Sequence, residues 1–326
     1  MKLKSTILFS FLILLIFNQC AEISQTKTLK LAHGLDVSHS VHLAMVKMGE
    51  DLAAISGNKI KLEIYPNQQL GTERECIELL QIGSLDMTKV SVGVLENFAP
   101  KMKVFGLPFL FRDRQHSFSV LDGPVGKELL DEGLDYWIKG LGYYDAGSRS
   151  FYTKTRPIDS PSDLKGMKIR VMESPTAYEM IKSFGGSPTP ISWGELYTSL
   201  QQGVVDGAEN NPPSFYLSRH YEVCKFYSID EHTVLPDVLI IGTNTWNRFT
   251  KEEQAWIQQA VHNSVVHQRK LWKIAEQEAL DEVIKAGVQV SYPDKTKFRA
   301  TVNGIYERVK QDKEMARLVM EIQETK

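Results

Sequence analysis

The chain has 326 residues, and 38 Lys and Arg stand against 40 Asp and Glu, so its formal net charge is −2. At roughly 100–200 residues per domain, this length predicts about two domains. A hydrophobic content of 42% with 24% charged residues excludes extended disorder. The near-neutral charge excludes a protein that binds nucleic acid through a basic surface. No apolar run after residue 17 is long enough for a multi-span membrane protein.

The first twenty residues have the layout of an export signal. A short basic segment precedes the apolar stretch from Ile7 to Phe17, which is shorter than the roughly 20 residues of a transmembrane helix. Cys20 follows and is a candidate lipidation site, although Gln19 stands where a small residue is usual. Three interpretations therefore stay open: a lipoprotein anchored through Cys20, cleavage near Ala21, or a retained anchor. All three predict an exported protein.

Two further cysteines, Cys76 and Cys224, are far apart in the sequence. They allow one disulfide but not a disulfide framework, and no Cys-x-x-Cys pair occurs, which excludes zinc ribbons and thioredoxin-like redox chemistry. We expect both to be small, buried, apolar side chains.

Strand and helix patterns alternate through the rest of the chain. Helices are predicted from Val41 to Ile55, where apolar residues recur three and four positions apart, and from Thr72 to Ile82, where Thr72 and Glu75 form a capping box. The strand patterns lie in segments 28–33, 59–65, 86–91, 141–144, 168–171 and 238–242.

The longest helical pattern begins at a second capping box, Thr250 with Glu253, and runs to Lys285. No Gly or Pro interrupts it, so it predicts a helix of about 50 Å that can lie across two lobes. No linker rich in Pro, Gly or Ser separates two halves of the chain, so we expect the chain to cross between the lobes more than once. The prediction is an α/β fold with lobes interleaved in sequence.

Motifs of common enzymes are missing from the sequence, including Gly-x-Ser-x-Gly, Gly-x-x-x-x-Gly-Lys, Gly-x-Gly-x-x-Gly and His-Glu-x-x-His. His33, His39 and His42 are close together, but no carboxylate or cysteine at a suitable spacing accompanies them, so we expect no metal site. A helix cap or a contact with a ligand hydroxyl is an equal alternative for one of them. A glycosidase-like pair of carboxylates stays open, because nothing in the sequence selects such a pair.

Three polar residues lie where strands end. Arg149 follows one predicted strand and Arg170 ends another, and ligands bind at strand ends in open α/β sheets. A guanidinium group matches a carboxylate in bidentate fashion, so we expect anion binding, with a salt bridge inside the protein as the alternative. Asn210 lies in the segment 203–213, where its amide can both donate and accept at the mouth of a strand. Ordinary turn chemistry is the alternative for that segment.

The export signal and four motifs, which occur together in order, resemble the substrate-binding proteins of TRAP (tripartite ATP-independent periplasmic) transporters, of the C4-dicarboxylate-binding-protein type. The motifs are Gly-Thr-Glu-Arg-Glu at 71–75, Leu-Lys-Gly-Met-Lys-Ile-Arg at 164–170, Ser-Pro-Thr-Pro at 187–190 and Gly-Val-Val-Asp-Gly-Ala-Glu-Asn at 203–210. The resemblance runs from about residue 28 to the last helices. It implies a periplasmic binding protein-like fold, in which two lobes close on a carboxylate ligand and a long helix braces both.

The same resemblance implies a role for individual residues. Arg170 corresponds to the family arginine that pairs with the ligand carboxylate, Arg149 to a second carboxylate-side arginine, and Asn210 to the asparagine that orients the carboxylate. Six further candidate ligand contacts follow from it: Glu73, Ser91, Glu173, Trp193, His39 and His232.

The resemblance also implies an organisation and partners. The predicted segments are a signal peptide at 1–20, lobe I at 28–147 and 236–275, and lobe II at 148–235 and 276–326. We expect a periplasmic monomer without cofactor or metal, which is not an enzyme and delivers a small carboxylate to the TRAP permease subunits. An exported carbohydrate-active enzyme and a sensory module are the alternatives from other classes.

The residues expected in the pocket favour a sugar acid. Glu73 and Glu173 would repel a second carboxylate but accept hydrogen bonds from hydroxyls, and Trp193 offers a flat face for a sugar ring. The segments 143–153, 203–211 and 71–75 also resemble the branch of the family associated with hexuronates. We therefore predict D-glucuronate, D-galacturonate or a close keto-sugar acid, with a C4-dicarboxylate or keto acid as the alternative within the family.

Overall fold

The computed structural model describes residues 26–326. The predictions for the signal peptide and for lipidation of Cys20 lie outside the described residues. The strands are β1 Lys27–Ala32, β2 Ile60–Tyr65, β3 Met87–Ser91, β4 Ile138–Tyr144, β5 Ser148–Thr153, β6 Lys168–Val171, β7 Ser187–Pro190, β8 Gly207–Asn210, β9 Phe226–Val234, β10 Asp237–Gly242 and β11 Gln289–Ser291. The helices are α1 Ser40–Ile55, α2 Glu73–Gln81, α3 Val92–Leu95, α4 Arg114–Asp122, α5 Pro124–Leu130, α6 Pro175–Ser183, α7 Leu196–Gln202, α8 Pro212–Leu217, α9 His220–Val223, α10 Thr243–Trp246, α11 Lys251–Lys285, α12 Lys295–Thr301, α13 Asn303–Val309 and α14 Lys313–Glu324. Short 3-10 helices span Pro100–Gly106, Leu134–Tyr136, Pro161–Leu164 and Trp193–Glu195.

The strands form two sheets. The first has the order β2-β1-β3-β10-β4, in which β1 is parallel to β2 and β3 whereas β10 is antiparallel to β3 and β4. The second has the order β11-β9-β5-β8-β6-β7, in which β5 is antiparallel to β8 and β9 and the other pairs are parallel. Each sheet and the helices that cover it form one lobe, named lobe I for the first sheet and lobe II for the second.

The chain crosses between the lobes several times. β4 continues into β5 through residues 145–147, β9 continues into β10 through residues 235–236, and α11 connects lobe I to β11 in lobe II. Gly147 has a φ of +59°, a left-handed conformation that glycine adopts without strain, so the first crossing can turn sharply. The predicted α/β fold with two interleaved lobes is confirmed.

The long helix α11 braces both lobes. The side chain of Thr250 accepts a hydrogen bond from the N–H of Glu253, and the Glu253 carboxylate accepts one from the N–H of Thr250, so the predicted capping box begins the helix. Its 35 residues extend about 50 Å. Ile257 and Val261 are buried in the core of lobe I, whereas Val283 is buried in the core of lobe II.

The lobe boundaries inferred from the sequence stay a prediction, and the contacts of the last helix argue for one change to them. Segment 276–326 is predicted to belong to lobe II, yet α14 packs against α5 and the 3-10 helix Pro100–Gly106. The ring nitrogen Nε2 of His116 lies 2.8 Å from the carbonyl oxygen of Ile322. The apolar face of α14 is therefore covered by residues of the first segment of lobe I.

Cys76 and Cys224 are free thiols, and both are buried as predicted. Cys76 packs with Ala32 and Leu85 in lobe I, and Cys224 belongs to the core of lobe II, so each fills space as an apolar side chain. Between residues 26 and 326, no helix has the length and apolar character needed to cross a membrane. In the same range, no three His, Cys, Asp or Glu side chains converge to hold a metal ion.

Candidate ligand-binding site

A cleft with a cavity volume of about 80 Å³ lies between the two lobes. Strand ends form much of its wall: β3 ends at Ser91, β6 carries Arg170, and β8 ends at Asn210. The structure brings eight of the nine predicted ligand contacts together around this cleft, namely Arg170, Arg149, Asn210, Glu73, Ser91, Glu173, Trp193 and His39.

Arg170 is a buried cation whose charge no carboxylate neutralises directly. Its side chain is 3% exposed, and its Nε donates to the carbonyl oxygen of Ile191 at 2.9 Å. Among residues 26–326, its two terminal nitrogens have no hydrogen-bond partner and no carboxylate lies within salt-bridge distance. Burial lowers the pKa of Arg170, and the positive charge of Arg149 acts in the same direction. The guanidinium carbon lies 5.8 Å from the ring centre of Trp193, so the fork is held beside an aromatic face.

Arg149, in contrast, is largely occupied by the protein itself. It donates to both carboxylate oxygens of Glu209 and, at 2.8 Å, to the Glu209 carbonyl oxygen. Its Nη1 donates to Oδ1 of Asn210 at 2.9 Å. Burial disfavours the charged form, but the Glu209 carboxylate outweighs it and raises the pKa of Arg149. Because a guanidinium has five N–H groups, these four hydrogen bonds leave one for a ligand. Most of the hydrogen bonds of Arg149 therefore belong to a salt bridge inside the protein, which was the alternative to anion binding.

The side-chain amide of Asn210 has a defined orientation. Its Oδ1 accepts from Arg149 and also, at 2.9 Å, from the backbone N–H of Asn211. With the oxygen occupied, the NH₂ group is the part of the amide that remains for a ligand. Asn210 and Arg170 together therefore present hydrogen-bond donors from lobe II, which suits an acceptor-only group such as a carboxylate.

His232 is the exception among the predicted ligand contacts, because it lies behind the cleft wall and has no exposed surface. Its Nδ1 donates to Asp230 at 2.9 Å and its Nε2 faces Glu209 at 3.4 Å. Burial disfavours the imidazolium, but the two carboxylates outweigh it and raise the pKa of His232 to about 9. Glu209 is ionised, since Arg149 and His232 lower its pKa to about 2 against the effect of burial. His232 therefore orients Glu209, which in turn holds Arg149.

Lys89, Glu73 and Asp237 form a charged group on the lobe I side of the cleft, beside Arg74, whose Nε lies 3.2 Å from Oε1 of Glu78. The ammonium of Lys89 lies 3.0 Å from Oε1 of Glu73 and 3.3 Å from Oδ2 of Asp237. Burial disfavours the ammonium, but the two carboxylates outweigh it and raise the pKa of Lys89. Glu73 also accepts from the N–H of Ser91 at 3.2 Å. Two carboxyl groups share one ammonium, and burial raises the pKa of Asp237, so this group of residues offers no free cation to a second carboxylate.

Sequence reasoning does not identify Lys89, Asp237, Gln68 or Trp272, which also line the cleft. A lysine in the middle of the strand 87–91 is a signal that could have found Lys89, because a buried lysine needs carboxylate partners. His39 caps helix α1, which is one of the alternatives raised for the histidine cluster.

The two lobes touch each other around the cleft. Glu96 of lobe I accepts hydrogen bonds from the hydroxyls of Ser174 and Thr176 in lobe II, at 2.6 and 2.7 Å. A Cβ atom placed on Gly93 would lie 2.3 Å from the sulfur of Met172, so the two lobes come into close contact at this glycine. The structure therefore shows the lobes closed over the cleft.

Comparisons with known proteins agree with this architecture. The model of the bacterial extracellular solute-binding protein family 7 matches residues 31–312. A TRAP periplasmic solute-binding protein from Bradyrhizobium sp. BTAi1, in complex with D-galacturonate, is 42% identical with a TM-score of 0.90, over 92% of this chain and 100% of that one. One from Anaerococcus prevotii, with bound D-glucuronate, is 33% identical with a TM-score of 0.90, over 92% and 98% of the chains. The Salmonella typhimurium protein YiiZ is 38% identical over 300 residues, which is 91% of each chain. The chain therefore belongs to the bacterial extracellular solute-binding protein family 7, the DctP family of TRAP solute-binding proteins.

Proposed function

We propose that this protein is the periplasmic receptor of a TRAP transporter, and that it binds a hexuronate such as D-glucuronate or D-galacturonate and delivers it to the membrane permease. The proposal includes a monomer without cofactor or catalytic activity, exported by the segment at residues 1–20, which is cleaved near Ala21, lipidated at Cys20 or kept as an anchor. Membership in a family of solute-binding proteins supports the receptor role.

The observation that carries the proposal is the unpaired guanidinium of Arg170. A buried charge without a partner is destabilising, and a carboxylate that accepts two parallel hydrogen bonds from the terminal nitrogens removes that cost. The NH₂ group of Asn210 and the remaining N–H of Arg149 are placed to bind the same carboxylate from the side. Arg149 acts mainly as a fixed positive charge, since Glu209 holds its orientation.

The lobe I side of the cleft supports a sugar acid over a dicarboxylate. Lys89 is already shared by Glu73 and Asp237, so a second carboxylate would find no free ammonium there. Hydroxyl groups can both donate to these carboxylates and accept from neighbouring donors. The two solved relatives described above hold galacturonate and glucuronate, which agrees with this chemistry.

A ligand screen tests the proposal. Thermal melts and titration calorimetry of the mature protein should show stabilisation and saturable binding with D-glucuronate or D-galacturonate, because a ligand bound only by the native state raises the melting temperature. NMR of the recovered ligand should show it unchanged. Binding of succinate or malate without any hexuronate would refute the ligand class, and conversion of the ligand would refute the receptor role in favour of an enzyme.

A further inference from the structure

We propose that the ring N–H groups of His39 and Trp272 form a donor pair that binds uncharged oxygens of the ligand. These are the hydroxyl or ring oxygens of a sugar acid. The pair thereby determines which sugar acid is accepted. This inference rests on the proposed function, because it concerns the part of the same ligand that the carboxylate site does not hold.

His39 can only donate into the cleft. As the N-cap of α1, it accepts a hydrogen bond at Nδ1 from the backbone N–H of Val41, at 3.2 Å. A ring nitrogen that accepts carries no proton, so the proton of the neutral ring is on Nε2. Burial lowers the pKa of His39 to about 3, and Lys89 adds to the effect, so the ring is neutral at physiological pH. The side chain is 3% exposed, lines the cleft, and within residues 26–326 its Nε2 has no hydrogen-bond partner.

Trp272 provides the second donor. It lies in the middle of α11, its side chain is 1% exposed, and it lines the same cleft. Its indole nitrogen can donate but not accept, and it too has no partner in the described part of the chain. The ring centres of His39 and Trp272 are 5.8 Å apart. A Cβ atom on Gly147 would come within 3.0 Å of the indole nitrogen, so the crossing between the lobes packs directly against this ring and fixes it.

Two buried donors without partners are unusual, because more than about 90% of buried polar groups in proteins are paired. Both residues line the cleft, and we infer that an acceptor bound there satisfies the two donors together. The two rings are neighbours, with their centres 5.8 Å apart, so one ligand can reach both.

The surrounding charges decide the kind of acceptor. The charged groups that act on His39 are Lys89 and Asp36, with His42 as a neighbouring ring, and Lys89 is already neutralised by Glu73 and Asp237. A carboxylate placed here would meet two neutral donors, the nearby carboxyl groups of Glu73 and Asp237, and no free ammonium. An uncharged oxygen meets the same donors without that repulsion, so the pair favours hydroxyl or ring oxygens.

A cycle of variants and ligands tests the inference. Trp272→Phe removes the N–H and keeps a ring, and Trp137→Phe changes an exposed tryptophan outside the cleft as the matched control. The ligands are the hexuronate bound best in the screen, its monodeoxy derivatives, and cyclohexanecarboxylate, which has neither hydroxyls nor a ring oxygen. We expect Trp272→Phe to weaken binding of the hexuronate about 3- to 10-fold, the range for one hydrogen bond. The loss should disappear with the analogue that lacks the contacted oxygen, and Trp137→Phe should change no affinity.

His39→Ser is the second variant, because serine also caps helices and keeps α1 capped without a ring donor. It should show the same ligand-selective loss, and it serves if Trp272→Phe does not fold. Equal affinity of wild type and both variants, or an equal loss for every ligand including cyclohexanecarboxylate, would overturn the donor pair while the hexuronate receptor stands. A wild type that binds no hexuronate would overturn the proposed function, and the donor pair with it.

Discussion

The buried charges behind Arg149 predict that the protein loses stability as the pH rises into the alkaline range. His232 has a folded-state pKa of about 9 against the ordinary 6.5, because the carboxylates of Asp230 and Glu209 outweigh the cost of burial. A pKa that is raised in the folded state stabilises the protein fully below the unfolded value and ceases to do so once the pH has risen through the folded value. The window for His232 therefore runs from about 6.5 to about 9. At about 1.4 kcal/mol for each tenfold difference in proton affinity, the stabilisation is about 3 kcal/mol.

Urea denaturation from about pH 6 to about pH 10 measures this effect. The free energy of unfolding of wild type should fall by about 3 kcal/mol across the window relative to His232→Gln, whose glutamine does not titrate. His262→Gln changes an exposed histidine and should keep the slope of wild type. If the glutamine variant of His232 is too unstable to measure, NMR titration of the His232 ring in wild type should give a pKa well above 6.5. A wild-type slope equal to that of His232→Gln, or a ring that titrates at or below 6.5, would refute the claim that Asp230 and Glu209 stabilise the charged form of His232.

Three further predictions follow from the cleft and the core. Arg170→Ala should cost about 3–5 kcal/mol of hexuronate binding and Arg170→Lys should also bind poorly, because an ammonium does not reproduce the fork; calorimetry that finds wild-type affinity for the lysine variant would contradict this. In solution scattering, saturation with ligand should reduce the radius of gyration of wild type but not of Gly93→Leu, whose side chain would meet Met172 before the lobes close; equal compaction of both proteins would contradict this. Cys76 and Cys224 should react with a thiol reagent only when the protein unfolds, since both are buried, and rapid labelling of the native protein would contradict their burial.

Sequence patterns predict those features that depend on residues close together in the chain. The capping boxes at Thr72 and Thr250 join residues three apart, and both begin helices in the structure. Arg170 ends a short strand whose limits are visible in the sequence, and it lines the cleft as expected.

The pairing of distant charges depends on strand register, which one sequence does not reveal. Arg149 meets Glu209 because β5 and β8 are antiparallel with Ser150 opposite Asn210. His232 lies on β9, whose pairing with β5 is irregular beside Arg149. It lies behind the wall of the cleft. The sequence therefore predicts only that His232 lies near a ligand-binding arginine. In the structure, His232 lies behind the cleft wall and contacts Glu209.

The lobe I side of the cleft shows the same dependence. Lys89 needs Glu73 from α2 and Asp237 from β10, and these residues come together only when the sheet forms. Trp272 enters the cleft from the middle of α11, where its spacing is that of an ordinary core residue. For that reason the donor pair with His39 is visible only in the folded molecule.

A crystal structure of the protein with D-galacturonate tests the central claim most directly. We expect the ligand carboxylate to accept hydrogen bonds from the two terminal nitrogens of Arg170 and from the amide of Asn210, within about 3 Å. The sugar oxygens should then face His39 and Trp272. A carboxylate bound beside Lys89, with Arg170 in contact only with sugar hydroxyls or with no ligand atom, would contradict it.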